Sequence, residues 1–307
     1  MPNKVHDVAV IGAGPGGLTA AAWCSELGLE TILIERSSAC GGQLHSVFNP
    51  INNYPGVSAS NGAELASLMG RSFSGHSFER RFDSTVTGVD PGEVIGLRFD
   101  ENSKLYARFV IFAAGLSRKT LNIPGEAEFI GKGVLRSGVG EKHLVEGKRL
   151  VIIGGGDAAL ENAMILSKAA DSVVIVHRRG HFTAQERFIS GVRNAGNVEL
   201  MMNSIVRRIE GDGKVQGVAV VDADGHSRTI PADLVLIRIG FKPNSELLAG
   251  ICDLDAKGYV VVDRNAQSSV PNIYAVGDVA NPVSPTIVTA AGMGAAAARS
   301  IFGGLRR

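Results

Sequence analysis

The chain has 307 residues, of which 45% are hydrophobic and 20% charged, so it is long enough for two globular domains of ordinary size. Its formal net charge of +1 gives no basis for binding nucleic acid or an acidic membrane surface, and no apolar run is long enough for a membrane span. The three cysteines, Cys24, Cys40 and Cys252, form no C-x-x-C pair and no metal-ligand spacing, so we expect a cytoplasmic protein without a metal site.

The N-terminal part of the chain predicts a strand–helix–strand unit. Residues 7–11 form an apolar, β-branched run that is typical of a buried parallel strand. A glycine-rich turn follows, and then an alanine-rich stretch predicts a helix over 18–27. A second strand over 31–34 ends on Glu35, which completes a βαβ unit.

The glycine turn of this unit has the pattern G-x-G-x-x-G. Gly12 permits a tight turn, Gly14 lets the backbone approach a pyrophosphate, and Gly17 lets the helix pack closely on the strand. The pyrophosphate would lie at the helix N-terminus, where unsatisfied N–H groups and the helix dipole favour an anion. Glu35 would accept a hydrogen bond from the adenosine ribose. The pattern therefore predicts a dinucleotide site, and a bare structural turn is the alternative.

The same order of elements returns in the middle of the chain. Residues 149–153 predict a strand, residues 158–169 a helix and residues 172–176 a second strand. Further β-rich stretches occur at 217–221 and 234–237. Two distant copies of one unit indicate two nucleotide-binding domains.

The turn of the second copy matches the same fingerprint, with Gly154, Gly156 and a final alanine, Ala159. Its second strand ends in three basic residues: His177, Arg178 and Arg179. Cations suit the 2′-phosphate of NADPH, which a carboxylate would repel, so NADPH is predicted over NADH. The alternative interpretation is a solvated charge run at the two arginines.

Taken together with several shorter motifs, these loops make the chain resemble the low-molecular-weight thioredoxin reductase family over nearly its whole length. The additional motifs lie at 41–44, 113–115, 123–126, 240–243, 273–278 and 289–292. The resemblance implies an α/β fold with two Rossmann-like, three-layer β/β/α nucleotide-binding domains, one inserted in the other. The FAD-binding domain would comprise 1–115 and 243–307, and the NADPH-binding domain 116–242.

The resemblance also assigns residues to the two cofactors. The first loop would hold FAD, and the second loop would hold NADPH. A helix after Pro285 would direct its N-terminus at the flavin, where its dipole stabilises negative charge. The chain is expected to form a homodimer. The additional FAD-binding residues would be Gly42, Gln43, Gly277 and Asp278.

The chain departs from the family pattern at a critical place. Thioredoxin reductases carry a redox-active C-x-x-C before the second phosphate loop, and here Ser137 and Gly140 occupy the two positions. Neither residue can form a disulfide, so the sequence predicts that the protein is not a thioredoxin reductase. Cys40 precedes the Gly-Gly-Gln loop, and a redox role for this thiol stays open. Thr183 stands where an arginine is common, which weakens the predicted 2′-phosphate clamp.

These observations predict a FAD-dependent NADPH oxidoreductase without a redox-active disulfide. In the related ferredoxin or flavodoxin–NADP reductases, hydride passes from NADPH to FAD and electrons pass on to an acceptor protein, the partner expected here. One alternative is a pathway-specific flavin oxidoreductase acting on a small molecule, with Glu141 or His143 as acid–base groups. Another is a flavin- or NADPH-sensing binding protein on the same scaffold. The catalytic residues stay unknown.

Overall fold

The computed structural model describes residues 4–100 and 103–306. Within these residues no helix is both long and apolar enough to cross a lipid bilayer. The described α-helices are α1 (Pro15–Glu26), α2 (Gly62–Ser72), α3 (Asp157–Leu166), α4 (Glu186–Arg193) and α5 (Ile287–Leu305). The strands are β1 (Val5–Ile11), β2 (Thr31–Ile34), β3 (Ile51–Tyr54), β4 (Val57–Ala59), β5 (Glu79–Arg81), β6 (Val86–Asp90), β7 (Ile95–Phe99), β8 (Lys104–Phe112), β9 (Leu116–Arg118), β10 (Val134–Leu135), β11 (Arg149–Ile153), β12 (Ser172–Val176), β13 (Val198–Met201), β14 (Ile205–Gly211), β15 (Val215–Val221), β16 (Ser227–Pro231), β17 (Leu234–Ile237), β18 (Phe241–Pro243) and β19 (Ile273–Ala275).

The chain divides into two compact units, and the second is inserted in the first. Unit 1 comprises Met1–Ser117 and Lys242–Arg307, and unit 2 comprises Arg118–Phe241. The boundaries predicted at 115/116 and 242/243 lie within two residues of these bounds. The assignment of FAD to unit 1 and NADPH to unit 2 stays a prediction.

Unit 1 is built on a parallel sheet in the order β5-β2-β1-β8, with β19 also parallel to β8. Alternate residues of β1 face opposite sides, as the two-residue period of a strand requires. Val8 and Val10 pack in a cluster with residues of α1 and α5. Ala9 and Ile11 pack in a second cluster, against the antiparallel strands β6 and β7. The unit therefore has three layers, helix on sheet on sheet.

Unit 2 repeats this arrangement with a different sequence. Its parallel sheet has the order β10-β17-β11-β12-β13, and an antiparallel meander is formed by β14, β15 and β16. Leu150 and Ile152 of β11 pack with residues of α3. Val151 and Ile153 pack with residues of the meander. The predicted three-layer α/β fold is confirmed.

Most predicted elements are confirmed, and their ends shift by a few residues. The strands expected at 31–34, 149–153, 172–176 and 234–237 have these bounds. Helix α1 starts before the predicted residue 18, because Pro15 suits the first helical position, where a backbone N–H has no partner in the helix.

The register of each parallel sheet brings several strand ends to one edge. In unit 1, Ile11 pairs with both Ile34 and Phe112, and Phe112 also pairs with Ala275. The loops that follow β1, β2, β8 and β19 therefore emerge side by side. Ligands of open α/β sheets bind at this carboxyl edge, so the candidate site of each unit is sought there.

Candidate functional site

The glycine turn of unit 1 is so tight that side chains are excluded at two of its positions. Gly12 has φ +100°, and an added Cβ would lie 2.5 Å from the carbonyl oxygen of Ala113. A Cβ on Gly17 would clash with the carbonyl oxygen of Gly12. Gly14 differs, because a Cβ there would meet no atom within 4 Å. The open space beside Gly14, at the N-terminus of α1, is where a pyrophosphate is expected to approach.

Glu35 is held in place by the backbone beside this turn. The residue is buried, its Oε2 accepts the N–H of Ala13 at 2.7 Å, and its Oε1 accepts the N–H of Ser37 at 2.9 Å. A carboxylate oxygen can accept more than one hydrogen bond, so capacity remains for a ribose hydroxyl. Glu35 is therefore fixed in orientation at the carboxyl edge, and its role in binding a ribose stays a prediction.

The remaining predicted residues of unit 1 lie at the same edge. Gly42 has φ +53°, and its added Cβ would lie 3.3 Å from the Cα of Gly14, so the loop after β2 approaches the phosphate turn closely. Gln43 donates from Nε2 to Asp278 Oδ2 at 3.3 Å. Asp278 follows Gly277, and burial raises the pKa of its carboxyl while the Gln43 hydrogen bond opposes the rise.

A cleft of about 310 Å³ opens at the N-terminus of α5 in the same unit. Thr286 caps this helix: its side chain accepts the N–H of Thr289, and the Thr289 side chain accepts the N–H of Thr286. The walls of the cleft are largely apolar, with the polar side chains of Asn53 and Thr286 among them. Its lining comprises Val47, Pro50, Ile51, Asn53, Pro285, Thr286, Ile287 and Val288.

The turn of unit 2 repeats the geometry of unit 1. Gly154 has φ +147°, and an added Cβ would clash with the carbonyl oxygen of Arg238. Gly156 caps α3, and a Cβ there would have Thr183 Oγ1, at 3.8 Å, as its nearest neighbour. Ala159 is fully buried and packs close to Gly154. Space for a pyrophosphate is again left at the helix N-terminus.

The three predicted basic residues of unit 2 have different environments. The His177 ring is buried beneath Gly155, and burial is the main cause that lowers the pKa of this ring. The ring is therefore neutral at pH 7 and supports the turn. Arg178 and Arg179 are exposed, and no carboxylate of the described residues lies within 4.0 Å of either guanidinium. The positive charge of this strand end is thus left to the two arginines.

The loop that follows Arg179 and contains Thr183 and Gln185 is hydrogen-bonded to the glycine turn and to the start of α3. The Thr183 N–H donates to the carbonyl oxygen of Gly155 at 2.9 Å. Asp157, in the first turn of α3, accepts hydrogen bonds from the backbone and side chain of Gln185, at 2.7 and 2.8 Å. These hydrogen bonds lower the pKa of the Asp157 carboxyl, so the group stays ionised and fixes the loop at Gln185 beside the helix start.

The positions that match the family's cysteines form a closed turn. Ser137 Oγ accepts the N–H of Gly140 at 3.1 Å. Glu141, considered above as an acid–base group, accepts the N–H groups of Arg136 and Ser137 and so stabilises this turn. His143, the other acid–base candidate, is exposed.

None of the three cysteines forms a disulfide within the described residues; Cys24 and Cys40 belong to one hydrophobic cluster and Cys252 to another. Cys24 is fully buried in α1, and burial raises the pKa of its thiol to about 12. Cys252 is buried, with its sulfur 3.4 Å from Ser268 Oγ. Cys40 is partly buried, and its sulfur lies against Gly70 of α2.

Sequence reasoning missed one residue at the carboxyl edge of unit 2. Arg238 directly follows β17, and the residue is only 8% exposed. A signal was available, because a charged residue at the end of a buried apolar strand of a parallel sheet faces the ligand edge.

Three exposed side chains of the turn between β15 and β16, Asp222, Asp224 and His226, lie within reach of one cation. Asp222 Oδ1 already accepts the N–H groups of Asp224 and His226. An Asp side chain that accepts the backbone N–H groups of the following residues is a common feature of turns, and it explains the position of Asp222 without a cation.

Comparison with known proteins agrees with this geometry. The family described as pyridine nucleotide-disulphide oxidoreductase matches residues 6–294. The chain is 36% identical over 305 residues to a thioredoxin reductase of Listeria monocytogenes, covering 97% of this chain and 93% of that protein. It is 36% identical over 306 residues to a thioredoxin reductase of Bacillus subtilis, covering 97% and 94%.

Solved structures give the same result. The FR conformation of Lactococcus lactis thioredoxin reductase has a TM-score of 0.83 and 31% identity, covering 97% of this chain and 98% of that chain. Thioredoxin reductase of T. acidophilum has a TM-score of 0.81 and 29% identity, covering 99% and 100%. The chain therefore has the two-domain, Rossmann-type fold of thioredoxin reductases.

These comparisons correct one prediction. The prediction that the protein is not a thioredoxin reductase is wrong, because relatives that match almost the whole chain at 36% identity are thioredoxin reductases. The prediction relied on two positions, Ser137 and Gly140, whereas the similarity extends over both units. FAD and NADPH, the predicted cofactors, are those that the relatives imply. The chain belongs to the pyridine nucleotide-disulphide oxidoreductase family, of FAD- and NADPH-dependent type.

Proposed function

We propose that unit 1 holds FAD, that unit 2 holds NADPH, and that electrons leave for the acceptor without passing through a dithiol of this chain. The proposed acceptor is a one-electron carrier protein of the ferredoxin or flavodoxin type. One observation carries the assignment of the cofactors. In each unit a charged residue follows the second strand of the βαβ unit, and the charges are opposite: Glu35 in unit 1, Arg178 and Arg179 in unit 2.

The residues of unit 1 fit FAD. The open space beside Gly14 and the N-terminus of α1 would take the pyrophosphate, and Glu35 would take the adenosine ribose. Gln43 and Asp278 offer an amide and a partly buried carboxyl beside the same turn. The cleft at the start of α5 would take the ring system. When bound, FAD supplies chemistry that links a two-electron donor to a one-electron acceptor.

The residues of unit 2 fit a nucleotide with an additional phosphate. Gly156 leaves room for the pyrophosphate at the start of α3, and Asp157 fixes the adjacent loop through its hydrogen bonds from Gln185. Arg178 and Arg179 provide exposed guanidinium groups without a carboxylate partner in the described residues. An Arg–phosphate pair is a strong, charge-assisted interaction, so this end of the site favours NADPH over NADH.

None of the three cysteines forms a disulfide within the described residues, and none lies in the turn that matches the family's C-x-x-C, which supports the proposed route. A dithiol relay needs two thiols that can form a disulfide, whose Cβ atoms lie about 3.5–4.5 Å apart. At the matching turn Ser137 and Gly140 bond to each other instead. Cys24 and Cys252 are buried, which disfavours their thiolates.

The test uses the protein with Cys24, Cys40 and Cys252 all changed to Ala, assayed anaerobically with NADPH and an acceptor panel. The panel comprises a one-electron dye, ferredoxin, flavodoxin and thioredoxin. Thioredoxin is included because the relatives are named thioredoxin reductases. Flavin content, read from visible absorbance, is the control for folding.

We expect the unaltered protein to reduce ferredoxin or flavodoxin, and the triple variant to retain most of that rate at equal flavin content. A variant that keeps its flavin but loses acceptor reduction would contradict the dithiol-free route. The Cys40→Ala variant would then identify whether that thiol is the relay. Reduction of thioredoxin alone among the panel would contradict the proposed acceptor class.

A further inference from the structure

Arg238 is a buried cation without a matching anion in unit 2. The residue is 8% exposed, and its only side-chain hydrogen bond to the described part of the chain runs from Nη1 to the carbonyl oxygen of Ile237 at 2.9 Å. Among the described residues, no carboxylate lies within ion-pair distance of the guanidinium. A buried charge left unpaired is strongly unfavourable, so this position calls for an anion from outside the chain.

The charged groups near Arg238 do not supply that anion. Burial is the main cause that lowers the pKa of Arg238, to about 10, and repulsion from Arg118 adds to the shift. Glu141 opposes the shift, but its carboxylate accepts two backbone N–H groups of its own turn. The guanidinium is therefore still charged at neutral pH and has donors to offer.

The backbone of Arg238 lies directly against the phosphate turn. Its N–H donates to the carbonyl oxygen of Ile153 at 2.7 Å, and its own carbonyl oxygen is the atom that excludes a side chain at Gly154. In the sheet, β11 lies between β17 and β12. Arg238 and the pair Arg178 and Arg179 therefore flank the turn from opposite sides.

Unit 1 has the same backbone position, and there it carries no charge. The Ala113 N–H donates to the carbonyl oxygen of Ile11 at 2.8 Å, and the Ala113 carbonyl oxygen excludes a side chain at Gly12. Alanine thus fills in unit 1 the position that Arg238 fills in unit 2. The fold does not require an arginine at this position, so Arg238 is better explained by a role in binding the ligand of unit 2.

We propose that Arg238 binds the phosphate on the nicotinamide side of the NADPH pyrophosphate. The inference rests on the proposed assignment of NADPH to unit 2. A dinucleotide crosses the carboxyl edge where the strand order reverses, here between β11 and β17. With its 2′-phosphate at Arg178 and Arg179, the molecule extends over the turn toward β17. The second half of its pyrophosphate then reaches the side of Arg238.

The test compares two ligands by calorimetry on the FAD-loaded protein. NADP⁺ contains the nicotinamide-side phosphate, whereas 2′,5′-ADP contains only the adenosine half. The variants are Arg238→Met, which keeps an apolar stem, Arg238→Lys, which keeps the charge, and the double variant Arg178→Ala with Arg179→Ala.

We expect Arg238→Met to weaken NADP⁺ binding at least about tenfold, equal to about 1.4 kcal/mol, and to change 2′,5′-ADP binding by less than about twofold. Arg238→Lys should retain part of the NADP⁺ affinity, and the double variant should weaken both ligands. Unchanged NADP⁺ binding in Arg238→Met, or an equal loss for both ligands, would overturn the inference. If the unaltered protein bound neither ligand, the assignment of NADPH to unit 2 would itself be wrong, and the inference with it.

Discussion

The two units place a charged side chain at the end of the strand that follows the first helix, but they hold it in different ways. Glu35 in unit 1 is buried and accepts two backbone N–H groups. Arg178 and Arg179 in unit 2 are exposed, and the buried His177 beside them is a neutral part of the turn. The carboxylate of unit 1 is therefore part of the fold as well as of the proposed FAD site, whereas the arginine pair belongs to the proposed NADPH site alone.

This difference predicts unequal effects on stability. Changing Glu35 to Ala leaves the N–H groups of Ala13 and Ser37 without their acceptor, so we expect the free energy of unfolding to fall by about 1–3 kcal/mol. The matched control, Arg178→Ala with Arg179→Ala, should change it by less than about 0.5 kcal/mol, because both side chains are exposed. Urea unfolding followed by circular dichroism at one fixed FAD concentration measures both. Equal effects of the two changes would remove the distinction between the units.

A smaller effect is expected from the pH dependence of His177. Burial lowers the pKa of this ring in the folded protein, so the unfolded chain binds a proton more readily below about pH 6.5. Stability should therefore fall as the pH falls from 7 to 5. His177→Gln should reduce this fall by about 1 kcal/mol or less, without abolishing it, because burial also lowers the pKa of His6.

His143→Asn is the control for this measurement, since that side chain is exposed. Unfolding curves at pH 7 and pH 5 for the two variants and the unaltered protein provide the comparison. A His177→Gln protein with an unaltered pH dependence would show that the ring is not held neutral by the fold.

The features predicted from the sequence are those that depend on neighbours along the chain. The glycine turns after β1 and β11 could be identified because a strand, a turn and a helix follow one another without interruption. The position of Glu35 directly after β2 follows from the same local order. The bounds of the parallel strands were predicted well because buried strands are continuous apolar runs.

The features missed depend on which strands become neighbours in space. Arg238 lies 84 positions after Gly154 (238 minus 154), and only the pairing of β11 with β17 brings the two together. His177 was grouped with the arginines by its sequence position, whereas the contact with Gly155 buries it. The conclusion on thioredoxin reductase failed for a related reason, since two positions were weighed above the similarity of the whole chain.

The most direct test of the account is a pair of alanine substitutions at Gly14 and Gly156. Both residues have negative φ, and an added Cβ would meet no atom within 4 Å at Gly14 and only Thr183 Oγ1, at 3.8 Å, at Gly156. Each alanine should therefore leave the fold intact and fill the space of one pyrophosphate. Flavin absorbance of the purified variants and calorimetry with NADP⁺ report the two sites separately.

We expect Gly14→Ala to lose FAD and to retain NADP⁺ binding, and Gly156→Ala to retain FAD and to bind NADP⁺ at least about tenfold more weakly. Circular dichroism controls for the fold of both variants. Loss of flavin from Gly156→Ala with flavin retained in Gly14→Ala would contradict the assignment of the cofactors to the units.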